Sequence, residues 1–259
     1  MLRTLSLILS VLLCTALQAG QPNKVLHRKC IYPTVMVVNK SPATELHGSG
    51  TGVIVKSRRM ACGRWENFVL TVAHAIRITP EMDMLIDGVP CTILPQYDYV
   101  VRVGIWTNWS TLRKIEEYWC QVLYEDDEDD VALLRFVSRR KMPVAEMGDS
   151  ENIFIGNEAI RVGCGLGEPF RLDRGMITSL PWSQGRKRDL AGCYRISVPT
   201  IQGDSGGPVY HENKVIALAQ AIAMYQDGPN RSPVPHIAYA VSIETFLDHQ
   251  EIVWHLEDE

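Results

Sequence analysis

Several features that would indicate other classes of protein are missing from this sequence. None of the seven cysteines forms a Cys-x-x-Cys pair, and no His/Cys group has the spacing of a zinc site. Basic residues form no stripe beyond the short run at residues 185–189, and the formal net charge is −4. There is no internal repeat. We therefore expect no metal, no cofactor and no nucleic-acid partner.

Beyond residue 20, no segment is long and apolar enough to cross a membrane. Residues 1–20 place Arg3 before a run of apolar and small residues, at 5–16. This pattern is typical of a secretory signal peptide, and the run is too short to span a bilayer comfortably. We predict a protein exported to the periplasm or the extracellular space, without stable membrane association after cleavage. An uncleaved membrane anchor is the alternative.

Loss of the predicted signal peptide leaves an even number of cysteines. These are Cys30, Cys62, Cys91, Cys120, Cys164 and Cys193. In an exported chain, six cysteines permit up to three disulfides in fifteen pairings, and the sequence does not choose among them. None lies in a recognisable setting for an activated thiol, so cysteine catalysis is not expected.

Short apolar and β-branched segments recur between Gly, Pro, Asn and Asp residues, which predicts an all-β fold. These segments lie at residues 34–38, 51–55, 67–75, 131–137, 158–164, 193–198, 214–222 and 236–242. Helical periodicity is convincing only in the last eighteen residues. There, Ile243, Phe246, Leu247, Val253 and Trp254 are predicted to lie near one face of a C-terminal helix.

A serine among glycines is the strongest chemical signal. The motif GDSGGPV occupies residues 203–209 and contains Ser205. Gly206 and Gly207 permit the unusual φ angles that a serine on a tight turn needs. The N–H groups of Gly203 and Ser205 are predicted to form an oxyanion hole. The alternative is a glycine-rich turn without chemistry.

His74 is the candidate base for this serine. A serine alone is a poor nucleophile, so a base has to take its proton. His74 lies in TVAHA, residues 71–75, at the end of an apolar strand and among small neighbours. These neighbours leave the imidazole room for acid and base roles. The alternative is a buried histidine with a purely structural role.

An acidic run supplies the third candidate. Residues 125–130 read EDDEDD and are followed at once by the apolar strand VALLRFV. A catalytic histidine needs a carboxylate that fixes its tautomer. Asp130 directly precedes the strand, so we predict that it alone is carried inward while residues 125–129 stay in a solvated loop. The order His, Asp, Ser along the chain is that of the chymotrypsin type. Ca²⁺ binding by the acidic run is disfavoured, because the run lacks the EF-hand pattern.

These motifs together resemble those of the trypsin-like serine peptidases of the chymotrypsin superfamily, especially the compact HtrA/Deg-like branch. Further similar segments are GSGTGVIV at 48–55, residues 145–178, and IAYAVSIETF at 237–246. The resemblance covers roughly residues 31–250. It implies two six-stranded antiparallel β-barrels, at 31–140 and 141–242, then a C-terminal α-helix and tail at 243–259. It also implies hydrolysis of a protein or peptide substrate through an acyl-enzyme.

The sequence departs from the HtrA/Deg-like pattern in two ways. No PDZ-like segment follows the catalytic motifs, and Asp204 replaces the Asn common in that branch. In digestive-type relatives this Asp pairs with a new N-terminal amine after zymogen cleavage. Residues 28–33, RKCIYP, do not resemble the start that such a switch needs. We therefore expect an enzyme that is active without it.

The sequence predicts part of the substrate pocket. The family's pocket-floor position, six residues before the nucleophile, falls on Pro199. Because Pro199 carries no charge, a cationic P1 side chain of the substrate would lack a partner, which disfavours Arg and Lys. Ala219, Gln220 and Ala221 are the predicted pocket wall and would admit an apolar P1 residue. Alternatively, Thr200 and Gln220 would recognise a polar one.

Three functions are consistent with this reading. The first is an exported serine endopeptidase, in which Ser205 attacks, His74 transfers the proton and Asp130 orients His74. The second is a catalytically silent binding protein on the same fold, because fold alone does not determine function. The third is an esterase, which the order of the catalytic residues disfavours.

Overall fold

The structure is a computed structural model that describes residues 23–40, 47–77, 82–86, 89–93, 98–107, 111–149, 152–181, 192–227 and 230–257. The predicted signal peptide at residues 1–20 lies outside these ranges, as does the basic run at 185–189.

The first half of the chain forms a closed antiparallel β-barrel. Its strands are β1 (Thr34–Lys40), β2 (His47–Arg59), β3 (Trp65–Thr71), β6 (Asp98–Thr107), β7 (Thr111–Asp126) and β8 (Val131–Ser138). They hydrogen-bond in the order β1-β2-β3-β8-β7-β6. A separate two-stranded hairpin, β4 (Met82–Ile86) and β5 (Val89–Ile93), connects β3 to β6.

The second half forms another closed antiparallel barrel. Its strands are β9 (Glu158–Gly163), β10 (Arg171–Ser179), β11 (Cys193–Ile196), β12 (Pro208–His211), β13 (Lys214–Asp227) and β14 (Asn230–Ser242). Their order is β10-β11-β14-β13-β12-β9. The predicted all-β class with two six-stranded barrels is therefore confirmed.

Some strands are buried on both faces, which explains why their sequences are unbroken apolar runs. Side chains of a strand point to opposite faces in turn. In β1, Val35 and Val37 pack inside the first barrel, whereas Met36 and Val38 join a cluster that also contains Val162 and Tyr210 of the second barrel. Both faces of β1 are thus buried, and the cluster on its outer face joins the barrels.

Short helices flank the barrels. The N-terminal segment has a helical turn α1 (Lys24–Leu26) and a π-helical turn (His27–Ile31), and α2 (Ala73–Ile76) follows β3. The predicted C-terminal helix is divided into α3 (Ile243–Leu247) and α4 (Gln250–Leu256). Within the described ranges, no helix is long and apolar enough to cross a membrane.

The break between α3 and α4 changes which side chains are buried. His249 has an extended backbone, with φ −87° and ψ 110°, so the periodicity of a single helix is lost. Ile243, Phe246 and Ile252 are fully buried, but Trp254 is 72% exposed. Trp254 therefore does not share a face with Ile243 and Phe246, and the prediction of one common face is wrong for this residue.

Four of the described cysteines form no disulfide with another described residue. These are Cys30, Cys62, Cys120 and Cys164. Burial raises the pKa of Cys30 and Cys120 to about 12, and that of Cys164 to about 11. These three thiols are therefore protonated at neutral pH. The side chain of Cys91 lies outside the described part of the structure.

Candidate active site

His74 and Asp130 lie together at one end of the first barrel. β3 pairs with β8 so that Thr71 faces Ala132, which brings the residues after β3 beside those before β8. Asp130 Oδ2 lies 2.8 Å from His74 Nδ1, and Asp130 Oδ1 accepts a hydrogen bond of 2.9 Å from the backbone N–H of His74. Both carboxylate oxygens thus contact one residue and fix its position.

The turn that carries Asp130 is shorter than the acidic sequence suggests. Glu125 and Asp126 still belong to β7 and pair with Ala132 and Val131, so the predicted solvated loop at residues 125–129 is wrong at its start. The antiparallel register of β7 and β8 is the reason, since it leaves only residues 127–130 for the connection. Asp130 closes this turn with a φ of +56°, a conformation that Asp tolerates better than most residues.

The acidic side chains before Asp130 have protein partners. Arg77 forms ion pairs with Glu125, at 3.2 Å, and with Asp127. His249 Nε2 lies 3.3 Å from Asp129 Oδ2, which connects the turn to the segment between α3 and α4. Over the described residues, no three His, Cys, Asp or Glu side chains are grouped as a metal site would require.

Thr51 of β2 holds the loop that contains Ser205. Its backbone N–H donates to the Ser205 carbonyl over 2.7 Å, and its hydroxyl donates to the Gly203 carbonyl over 2.8 Å. The Thr51 carbonyl accepts a 2.7 Å hydrogen bond from Thr71 Oγ1, just before α2. One residue of the first barrel therefore connects the Ser205 loop to the strand end that leads to His74.

Gly50 sets the separation between the two candidate catalytic segments. A Cβ at this position would lie 2.7 Å from Ala75 Cβ and 3.2 Å from the Ser205 carbonyl oxygen. The turn with His74 and the backbone of Ser205 thus approach Gly50 from two sides. Of the hydrogen bonds that join described residues, none involves Ser205 Oγ, so the hydroxyl is not paired with His74 Nε2.

The N–H groups around Ser205 alternate between paired and unpaired. Asp204 donates to the Ile201 carbonyl at 3.1 Å, and Gly206 donates to the Ala219 carbonyl at 2.7 Å. Gly203 and Ser205, in contrast, have N–H groups with no acceptor among the residues described. Gly203 has a φ of +94°, which favours glycine there. The two predicted oxyanion-hole donors are thus available to a ligand.

Asp204 is completely buried, and its carboxylate has two cationic partners. Arg161 Nη1 lies 2.6 Å from Oδ1, and Arg171 Nη2 lies 3.0 Å from Oδ2. Oδ2 also accepts a 2.8 Å hydrogen bond from the backbone N–H of Ile201. Arg161 is not among the site residues predicted from the sequence, although it stands within the apolar segment EAIRVGC and a charge that faces a core needs a partner.

The predicted pocket residues lie on two segments of the second barrel. Pro199 and Thr200 lie between β11 and the Ser205 loop, and the Pro199 carbonyl accepts a 2.8 Å hydrogen bond from Arg161 Nη2. Ala219 of β13 is fully buried, and its N–H donates to the Gly207 carbonyl over 2.8 Å. Gln220 lies at an irregularity in the β13–β14 pairing and accepts from Cys193 Sγ at 2.9 Å.

Comparison with known proteins gives the family. Residues 50–218 match the trypsin-like peptidase domain, and the chain belongs to this family. The matched range includes His74, Asp130 and Ser205. The resemblance to trypsin-like, HtrA/Deg-like serine proteases is therefore confirmed.

Two curated relatives are proteases. The chain is 28% identical over 134 residues to a probable periplasmic serine endoprotease DegP-like protein of Rickettsia prowazekii (strain Madrid E), covering 45% of the chain and 25% of that protein. It is 25% identical over 185 residues to the magnetosome formation protease MamE of Paramagnetospirillum magneticum (strain ATCC 700264 / AMB-1), covering 70% of the chain and 21% of that protein. The chain thus spans about a quarter of their length.

Solved structures of proteases share the fold. The HtrA-type protease AlgW with tripeptide superposes with a TM-score of 0.64 at 18% identity, covering 90% of this chain and 63% of that one. The serine endoprotease from Yersinia pestis gives a TM-score of 0.58 at 16% identity, covering 89% of this chain and 66% of that one. At these identities, the likeness concerns the fold.

Proposed function

We propose that the protein is an exported serine endopeptidase that cleaves peptide bonds through an acyl-enzyme on Ser205. The observation that carries this proposal is the double contact of Asp130 with His74, at 2.8 and 2.9 Å, beside a serine loop with two unpaired N–H groups. Membership of the trypsin-like peptidase family supports the same reaction. The name of the Rickettsia prowazekii relative, a probable periplasmic endoprotease, supports export.

In this proposal each side chain has one task. With Asp130 on Nδ1–H, the imidazole of His74 presents Nε2 as the base. In our proposal Nε2 takes the proton of Ser205 Oγ as this oxygen attacks the substrate carbonyl carbon. The N–H groups of Gly203 and Ser205 then stabilise the negative oxygen of the tetrahedral intermediate.

Collapse of this intermediate completes the first half of the reaction. The C–N bond breaks, and the His74 imidazolium gives its proton to the leaving amine. This leaves Ser205 esterified by the acyl part of the substrate. A water molecule then attacks the ester carbon while His74 takes its proton. The bond between the acyl carbon and Ser205 Oγ breaks, His74 returns the proton to Ser205 Oγ, and the carboxylic acid leaves.

The substrate class follows from the family and from the pocket prediction. We propose a protein or peptide with an uncharged P1 residue. Pro199 carries no charge and its carbonyl already accepts a hydrogen bond from Arg161 Nη2 at 2.8 Å, so a cationic P1 side chain would gain no partner from this residue. Apolar and polar P1 residues remain alternatives, because Ala219 and Ala221 are small whereas Thr200 and Gln220 are polar.

A serine-directed fluorophosphonate tests the proposal on the purified mature protein. We expect stoichiometric labelling of the wild type at neutral pH and none of Ser205→Ala. Ser197→Ala, which alters another serine of the same barrel, is the matched control and should be labelled like the wild type. A peptide library with an ester counterpart then distinguishes a peptidase from an esterase.

The alternative is a catalytically silent binding protein. The Ser205 hydroxyl, which is unpaired among the described residues, is the observation that keeps this alternative. A folded wild type that reacts with no fluorophosphonate under any condition would favour it and overturn the proposed peptidase.

A further inference from the structure

We propose that Asn39 is a positioning residue for the catalytic base: from inside the first barrel, its buried amide holds the last carbonyls of α2, the helical turn that carries His74. This inference rests on the proposed function and adds to it the means by which the His74 turn is kept in place. Asn39 belongs to β1 and to none of the motifs that identify the catalytic residues.

The α2 turn is too short to hold its own shape. It has four residues, Ala73–Ile76, and therefore contains no complete i→i+4 pair. The bond that closes the turn runs from the Arg77 N–H to the Ala73 carbonyl, at 3.2 Å. A first helical turn fixes several backbone angles for a single hydrogen bond, so it is unstable in isolation. The position of His74 thus depends on contacts between α2 and the rest of the barrel.

The two ends of α2 are attached to different parts of the barrel. At its start, the backbone N–H groups of Ala73 and His74 donate to the carbonyl and Oδ1 of Asp130, at 3.3 and 2.9 Å. Near its end, the Ala75 carbonyl accepts a 3.2 Å hydrogen bond from Asn39 Nδ2. Asp130 directly precedes β8, and β8 and β1 are not neighbours in the barrel. The turn is therefore held from two separate strands.

Asn39 is a polar residue in an apolar row. Side chains alternate along β1, so Asn39 follows Val35 and Val37 on the face that packs inside the barrel, and it is 0% exposed. A buried amide is costly unless it is hydrogen-bonded. Over the described residues, Asn39 Oδ1 has no partner. The contact with the Ala75 carbonyl is thus what accounts for an amide at this position.

The Ala75 carbonyl also determines which substitutions can replace the amide. A carbonyl only accepts hydrogen bonds, so the group that faces it has to be a donor. An apolar side chain leaves it without a donor, a carboxylate places a negative oxygen against it, and a protonated carboxyl donates again. Burial raises the pKa of a carboxyl. Asn39→Asp should therefore change from a donor to an acceptor within a measurable range of pH.

Asn67 is the matched control. It lies in β3 of the same barrel and is also 0% exposed. Its Nδ2 donates to Ser138 Oγ at 2.9 Å and to the Phe136 carbonyl at 3.4 Å, and its Oδ1 accepts from Ser57 Oγ at 2.7 Å. None of these partners belongs to α2 or to the candidate catalytic residues. Loss of the Asn67 amide should therefore lower stability without moving His74.

The experiment measures the fluorophosphonate labelling rate from about pH 6 to pH 10 for the wild type, Asn39→Leu, Asn39→Asp and Asn67→Leu. Circular dichroism at each pH and chemical denaturation measure the fold and its stability. Steady-state peptide hydrolysis separates kcat from KM.

Each variant is compared with the wild type as a ratio of rates at the same pH. The described segments next to Asn39 carry other titratable or charged residues, and all four proteins retain them, so their own titration contributes equally to both rates. These residues are Lys40 of β1, His47 of β2, Asp98 and Tyr99 of β6, and His74 and Arg77 at α2.

We expect Asn39→Leu to lower kcat and the labelling rate on the order of 10- to 100-fold with KM nearly unchanged, because α2 moves while the pocket in the second barrel does not. Asn67→Leu should lose at least as much stability and yet keep kcat within about threefold of the wild type. Asn39→Asp should be labelled nearly like the wild type at the acid end. Its ratio to the wild type should fall as the pH rises, and should stay low at the alkaline end.

The alkaline end distinguishes a displaced turn from a simple effect of the added charge. A negative charge that only favoured the His74 imidazolium would slow labelling near neutral pH. Its effect would disappear where histidine is neutral in both proteins, at about pH 9 and above. A displaced turn keeps the rate low there. Recovery of Asn39→Asp to the wild-type rate at alkaline pH would therefore overturn the positioning role.

The other outcomes separate this inference from the proposed function. Wild-type kcat in both Asn39 variants would overturn the role of Asn39 and leave the peptidase proposal intact. Equal losses of kcat in Asn39→Leu and Asn67→Leu would do the same, because they would indicate a general packing effect. So would failure of both Asn39 variants to fold beside a folded Asn67→Leu. A folded wild type that is never labelled would overturn both proposals.

Discussion

The backbone N–H of Thr51 donates a 2.7 Å hydrogen bond to the carbonyl of Ser205, 154 positions later in the chain. This bond crosses from the first barrel to the second and attaches the candidate nucleophile to β2. The hydroxyl of Thr51 extends the attachment to Gly203 at 2.8 Å and accepts from the Cys164 N–H at 2.9 Å. The position of the Ser205 loop therefore depends on a residue of the other barrel.

The first prediction concerns this threonine. Thr51→Val keeps the shape but removes the hydroxyl, which leaves the buried Gly203 carbonyl and Cys164 N–H without their partner. We expect the free energy of unfolding to fall by about 1–3 kcal/mol and fluorophosphonate labelling to slow roughly tenfold. Chemical denaturation and labelling kinetics measure the two effects. Thr51→Ser retains the hydroxyl and should stay close to the wild type; equal losses in both variants would contradict the role of the hydroxyl.

The second prediction separates backbone strain from steric overlap at Gly206. Gly206 has a φ of +80°, and a Cβ there would overlap the Thr51 carbonyl oxygen and Thr71 Oγ1. Gly63 has nearly the same φ, +81°, with nothing within 4 Å of its Cβ position. Gly63→Ala should destabilise the fold by about 1 kcal/mol, and Gly206→Ala by more than about 3 kcal/mol. Similar unfolding energies for the two variants would show that the overlap relaxes easily.

The third prediction concerns the last two acids of the run. Asp130→Asn keeps the shape of the side chain but removes the negative charge that faces His74 Nδ1. The wrong tautomer of the His74 imidazole then becomes available. We expect peptide hydrolysis at neutral pH to fall on the order of 10⁴-fold. Asp129→Asn, one residue earlier, changes only the contact with His249 and should leave kcat within about threefold. A comparable fall in both would indicate that the negative charge of the turn matters rather than the contact of Asp130.

The fourth prediction is a pH dependence of stability. Burial, with a further contribution from Arg58, lowers the pKa of His255 in α4 from its ordinary value of 6.5. The folded state then binds fewer protons at this site than the unfolded state near that pH, so stability rises with pH and is lost on acidification through 6.5. Unfolding of the wild type and of His255→Gln at about pH 5.5 and 7.5 measures this dependence. We expect a smaller difference between the two pH values in the variant.

Much of the fold was readable from local pattern. The apolar segments at residues 34–38 and 131–137 became β1 and β8, because an uninterrupted β-branched run suits a strand that is buried on both faces. β7 was not predicted. Its residues from Thr111 to Asp126 are largely charged or half-buried, and β6 and β8 hold them in place by backbone pairing. A strand held by its neighbours leaves little trace in its own sequence.

The sequence by itself determined the all-β class and the identity of three candidate catalytic residues, since GDSGGPV, TVAHA and the acid before VALLRFV are local patterns. Only the tertiary structure decided which groups meet. The barrel register brings Asp130 within 2.8 Å of His74, and the packing of the barrels attaches the Ser205 loop to Thr51. The same packing buries Arg161 against Asp204. These contacts join residues that are distant in the chain. They form because charges and backbone groups buried in closed barrels have no access to water, so each needs a partner within the fold.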